Sequence, residues 1–409
     1  MTAAAVPAAG SLDGDAASRQ VPEPVDWALA ARVARRVAGR DPIADSYLAA
    51  SLAEDFASVT TQAEALVSEH TGLHVVGAAR ASVLDRSGWV EANVASMRRL
   101  LGPLTAKLGS RLGQSPLAPV GRTVSATELG VLLGWFSRRV LGQYDLLVPD
   151  DGTSNTAGSN RARSDMAGSD MAGSDTAGSS SADPGTDTEG DAVYYVGANI
   201  LALEKRFAFR PRDFRLWIAI HEVTHRAQFL GVPWMRGYFL GLVEGALGGV
   251  DADPRQVIAA LLRAADELRR GRNPLDDGGI VALLATPEHR VTLAQIQALM
   301  SVLEGHGNRV MNELGRVHVA GQDRMARVLQ SRRRSQGIGG VVSKLLGIDS
   351  KMRQYEVGEQ FVAAVEREAG PRALDAAWRG PEYLPTIDEL ATPTAWLTRV
   401  ERNEPAPAA

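Results

Sequence analysis

The stretch Pro211-Arg-Asp-Phe-Arg-Leu-Trp-Ile-Ala-Ile-His221-Glu-Val-Thr-His225-Arg-Ala-Gln-Phe-Leu-Gly231 decides how this chain is read. Pro211 suits the first turn of a helix, where its missing N–H is no loss and its fixed φ is already helical. Asp213 places a negative charge where the helix dipole favours one. Gly231 is a stop signal, and Pro233 follows shortly. These marks predict a helix over about 212–230. On it Phe214, Trp217, Ile218, His221, His225 and Phe229 fall on one broad face. Two imidazoles one turn apart therefore point inward with the apolar residues.

That spacing lets both rings reach a single cation. Glu222 sits about 100° further round the helix, beside such a cation, where it can take a proton from a water on the metal. The competing reading is two satisfied core histidines, or an accidental spacing on a solvated face. The chain has no cysteine and only 7 histidines, so disulfides and thiolate sites are excluded and any metal must be held by His, Asp or Glu.

A catalytic zinc usually has three protein ligands. A third histidine six residues after His225 is ruled out, because position 231 is Gly. Glu244, about 20 residues downstream, reads as a solvated helix residue. Glu304 differs. It lies in a helix predicted over about 292–314, inside the apolar stripe of Leu293, Ile296, Met300, Leu303, Gly307, Val310 and Met311. A carboxylate there needs a partner, either a cation or a buried arginine. Gly305 and Gly307 each cost roughly 1 kcal/mol of helix stability, which close approach of another helix would offset. His306, at the stripe's edge, could be a fourth ligand, a donor to the oxyanion of a tetrahedral intermediate, or a polar boundary residue.

Outward from these segments the text is mainly helical. Helices are expected over about 25–39, 44–70, 87–112, 125–142, 236–249, 254–270, 322–332, 352–368 and 386–400, with Ser125 and Glu128 as a capping box. Ala192–Val196 is one short strand. The fold class is therefore mainly α, with at most a small β element. Residues 1–24 and 403–409 read as disordered, 25–148 as a helical N-terminal region and 192–402 as the catalytic region. Between them, 149–191 repeats Ser-Asp-Met-Ala-Gly and reads as a low-complexity, flexible insertion. A net charge of -4 favours neither nucleic acid nor an anionic membrane. No apolar run approaches the roughly 20 residues of a membrane helix, and the N-terminus lacks a signal's basic region. A cytoplasmic location is the expectation; the oligomeric state is open.

The block Ala202–Phe229 resembles an actinobacterial family of zincin-like, zinc-dependent metallohydrolases of metalloprotease type. Glu304-Gly-His-Gly-Asn308 is similar to its second signature, and Leu345–Glu359 to its third. The resemblance is strong over roughly 192–400 and weaker over 25–148. It looks closest to a branch associated with biosynthesis of the deazaflavin coenzyme F420. It implies a mainly helical zincin-like fold, Zn2+ held by His221 and His225, and Glu222 as base, and it favours Glu304 as third ligand. In the third block, Tyr355 is either a phenol that donates to the oxyanion or a buried tyrosine with its hydroxyl at the surface.

The leading expectation is a zinc hydrolase whose water attacks an amide or peptide bond. A second is a coenzyme-pathway hydrolase acting on a small amide-bearing metabolite. A third is an inactive scaffold in which zinc holds helices together; that version requires four protein ligands and no open coordination position.

Overall fold

Asp26 opens the first helix by accepting from the Leu29 N–H at 2.9 Å, and α1 (Trp27–Ala38) runs to Gly39 at φ 70°. The computed structural model describes residues 23, 25–41, 48–102, 118–148, 190–248, 287–335 and 348–403. After α1 come α2 (Leu48–Thr71), β1 (Ala81–Leu84), α3 (Arg86–Leu100), α4 (Ala118–Ser137), β2 (Gly142–Val148) and β3 (Gly190–Val196). Then follow α5 (Gly197–Phe207), α6 (Pro211–Gly231), α7 (Met235–Gly248), α8 (Pro287–His318), α9 (Gln322–Ser335) and α10 (Ile348–Ala369). Two 3-10 turns, Ala373–Trp378 and Pro381–Tyr383, lead into α11 (Ile387–Ala391) and α12 (Pro393–Glu401). The architecture is mainly α, as the sequence predicts.

Most of segments 1–24, 149–191 and 403–409, and the helix expected over 254–270, lie outside the described residues. Three expectations change. The sheet has three strands where one was expected, in the order β1-β3-β2, with β1 parallel and β2 antiparallel to β3. Ser125 and Glu128 lie inside α4 and do not cap it. The helix begins at Ala118, and Pro119 occupies its first turn, where no N–H is needed. The helix expected over 386–400 is two helices, because Pro393 has no N–H to continue the first and instead starts α12.

α6 is the central element. Phe214, Trp217, Ile218, Ile220, Val223, Ala227 and Phe229 are buried on several of its faces at once. α2 covers one side through Leu52, Phe56, Val59 and Val67, with Phe56 stacked on Tyr195 of β3 at 3.9 Å. α8 and β2 cover others. A second core joins α7, α8 and α10 to the C-terminal helices around Leu299, Leu303, Phe361 and Trp396. α8 thus belongs to both cores, and it carries Glu304 between them. The antiparallel pair β2–β3 has Val148 opposite Gly190, with segment 149–189 joining them.

α11 is held by a buried pair. Glu389 receives Arg399 Nε at 2.7 Å and Arg399 Nη2 at 3.0 Å, and completes a capping box with Thr386. Burial works to raise the Glu389 carboxyl, but Arg399 and the Thr386 N–H outweigh it and hold it below its ordinary value of 4.5. A depressed folded pKa gives stability that is present above pH 4.5 and lost as pH falls through the lower folded value. In thermal melts, the advantage of the native chain over Glu389→Gln is expected to be full at neutral pH and to shrink steadily below about pH 4.5.

Candidate metal centre

Residues from α6 and α8 converge where the two helices cross. His221 Nε2 and His225 Nε2 lie 3.2 Å apart, and each is 3.6 Å from Glu304 Oε2. Zinc bonds of about 2.0–2.1 Å in tetrahedral geometry space neighbouring ligand atoms about 3.3 Å apart. The three donors therefore fit one face of a tetrahedral centre. Among the described residues this is the one group of three His, Asp or Glu side chains so arranged. Glu304 faces two imidazoles, and no arginine is paired with it among the described residues. Glu244 is exposed on α7 and is no member of the group.

Glycines make this convergence possible. A Cβ on Gly305 would lie 2.5 Å from the Gly358 carbonyl of α10, so the two backbones touch. A Cβ on Gly307 would lie 3.2 Å from His225 Cε1 and 3.4 Å from His221 Cε1. Gly305 and Gly307 thus each have an occupant for the space that a side chain would fill. In Gly307→Ala the helix gains about 1 kcal/mol of propensity while the rings are pushed aside. The metal-free protein is expected to melt no lower than the parent, and zinc affinity, by chelator competition, to fall severalfold.

Glu222 is buried on α6 but outside the triangle of His221, His225 and Glu304. Edge strand β2 lies against it. A Cβ on Gly142 would sit 2.6 Å from Glu222 Oε1, and the Tyr144 backbone N–H donates to the carboxylate. The two carboxyls of the site are driven in opposite directions. Burial raises Glu222, against the pull of the His221 and His225 charges. Burial would raise Glu304 as well, but the charges of His225 and His221, each 3.6 Å away, hold it well below the usual carboxylate range. His225 answers in kind: burial would lower it, yet the Glu304 charge, with the Glu222 charge and the Gln228 hydrogen bond, pushes it up to about 9. Two imidazoles thus gather around a carboxylate held in its charged form, a donor set suited to a cation.

His306 is two residues beyond Glu304 on α8 and is not one of the three converging donors. Its Nδ1 is 2.8 Å from Gln228 Nε2, and its ring meets Trp378 edge-on at 5.2 Å. Burial, with the neighbouring His225 and His70 charges, lowers it to about 3, so the ring is neutral. Tyr355 falls on α10, but its side chain lies outside the described residues. Sequence reasoning missed Gly142, Tyr144 and Gln228. Gln228 had a signal, three residues beyond His225 and so on the same side of the helix. Gly142 and Tyr144 had none, since their proximity comes from strand packing.

Comparison with known proteins agrees with this geometry. The profile of the zincin-like metallopeptidase family matches residues 25–397. A solved protein from Chloroflexus aurantiacus, described as a "putative hydrolase with a novel fold", is 27% identical with a TM-score of 0.62. The match covers 92% of this chain and 99% of that one. A comparison with curated proteins finds no match. No helix among the described residues is long and apolar enough to cross a membrane. The family implies a metal, and the His-His-Glu donor set is suited to one. The chain belongs to the zincin-like metallopeptidase family.

Proposed function

We propose that this chain is a zinc-dependent hydrolase that attacks an amide or peptide bond with water, using His221, His225 and Glu304 as ligands and Glu222 as general base. The observation that carries the reading is a three-donor triangle with a separate, buried carboxylate beside it. Three protein ligands leave one position of a tetrahedral centre for water or substrate, whereas a purely structural site would fill all four. When bound, zinc would lower the pKa of a water and polarise the scissile carbonyl.

The protein's own side chains supply the rest. Glu222 accepts the proton of the attacking water at its carboxylate and hands it to the leaving amine. Its backbone donor, Tyr144, and the bare Cα of Gly142 fix where that carboxylate lies. The family and the neighbour support a hydrolase; a peptide substrate fits the family's peptidases, and a small amide from a coenzyme pathway is the second substrate class.

Metal analysis of protein purified without chelators is expected to give one zinc per chain in the parent. His221→Ala and Glu304→Ala are each expected to lose it while keeping the helical circular-dichroism spectrum. A Glu304→Ala protein that bound zinc as tightly as the parent would sink the two-His, one-Glu assignment.

A further inference from the structure

We propose that Gln228 is a positioning residue that sets the proton positions of His225 and His306 and so orients a metal ligand from behind. The orienting role for His225 rests on the metal-centre reading; the proton assignments do not.

One backbone atom fixes the direction of every bond that follows. The Leu303 carbonyl can only accept, and it lies 3.0 Å from one end of the Gln228 amide. That end must be the nitrogen, which removes the usual ambiguity in placing an amide. A primary amide nitrogen has two protons. The second one reaches His306 Nδ1 at 2.8 Å. This ring nitrogen must then be the acceptor, and a neutral His306 carries its proton on Nε2. The far end of the amide is Oε1, which can only accept, and His225 Nδ1 is 2.9 Å from it. His225 therefore keeps a proton on Nδ1, and the ring nitrogen that faces His221 and Glu304 is the one able to give a lone pair to a cation.

Three features raise this above a chance contact. Gln228 is wholly buried, at 0% exposure, so water does not compete for its bonds. One side chain on α6 engages the two residues, Leu303 and His306, that bracket Glu304 on α8. It therefore ties together the two helices that supply the ligands. Finally, every bond has a fixed direction once the Leu303 carbonyl is placed, so two imidazoles are set by an atom that cannot titrate.

The test reads proton positions directly. Imidazole 15N NMR of the full-length protein, metal-free and zinc-loaded, is expected to show His306 as the Nε2–H tautomer in both. In Gln228→Leu, His306 is expected to lose that single tautomer, and zinc affinity by chelator competition to fall ten- to hundredfold. Gln228→Glu keeps an acceptor for His225 but sets an oxygen against the Leu303 carbonyl, so it is expected to recover part of the zinc affinity lost in Gln228→Leu without restoring the His306 tautomer, an outcome that mere filling of space would not give. His306 carrying its proton on Nδ1 in the parent, or Gln228→Leu binding zinc like the parent, would overturn the proposal. Should Gln228→Leu fail to fold, the tautomer of the parent still decides. A parent chain that binds no zinc defeats the metal reading, while His306 in that same metal-free protein continues to report on the amide.

Discussion

Glu222→Gln is expected to leave zinc bound and to lower hydrolysis by about 10²–10⁴-fold, the usual worth of a general base. The amide has the shape of the carboxylate, so the packing against Gly142 is kept, but it cannot take a proton. Because Glu222 stands outside the ligand triangle, zinc content should be unchanged. Metal analysis and turnover of a fluorogenic peptide pool, measured on one preparation, separate the two roles. Unchanged turnover with zinc in place would show that another group takes the proton. Loss of zinc would show that Glu222 belongs to the ligand set.

Gly358→Ala is expected to be the most destabilising single methyl in the described structure. A Cβ at that position would overlap the Ser301 carbonyl of α8, a backbone atom that no side-chain rotation can move aside. Overpacking of this kind costs about 1–3 kcal/mol, and a backbone clash lies at the upper end. The effect should extend beyond stability. Ser301 is one helical turn before Glu304, so a shift of α8 away from α10 moves the carboxylate relative to the imidazoles. Zinc affinity is expected to fall in a variant that touches no ligand. Gly237→Ala is the control: nothing lies within 4 Å of its added Cβ, so it should gain about 1 kcal/mol of helix propensity and leave zinc binding alone. Urea melts with and without chelator compare the two.

What the sequence revealed divides along a physical line. Short-range chemistry was readable. Pro211 and Gly231 frame α6, and the four-residue spacing of His221 and His225 puts them on one side of it. Glu304 was conspicuous because a charge in an apolar stripe needs an explanation, and the two glycines beside it announced a close neighbour. The neighbour itself, Gly358 of α10, was not readable. Nor was β1, a four-residue strand without clear alternation of burial, or β2, whose partner β3 is more than 40 residues away. The Ser125–Glu128 pattern misled because a local cap signal was outvoted by Pro119 upstream. The break at Pro393 was visible in the letters, since a proline cannot donate the bond that would continue α11.

The ladder between β2 and β3 closes at Val148 and Gly190, so the polypeptide leaves the sheet and re-enters it at facing points. For two ends already held together, the entropic cost of joining them depends only weakly on the length of the connection. That term grows with the logarithm of length, about 0.6 kcal/mol for each doubling. The joint is therefore a port. Doubling or halving the connection is expected to change closure entropy by only that amount, at the end of β2 opposite the glycine that leaves room for Glu222. The length of chain that enters at the far end of β2 is thereby decoupled from the pairing that holds Gly142 beside Glu222.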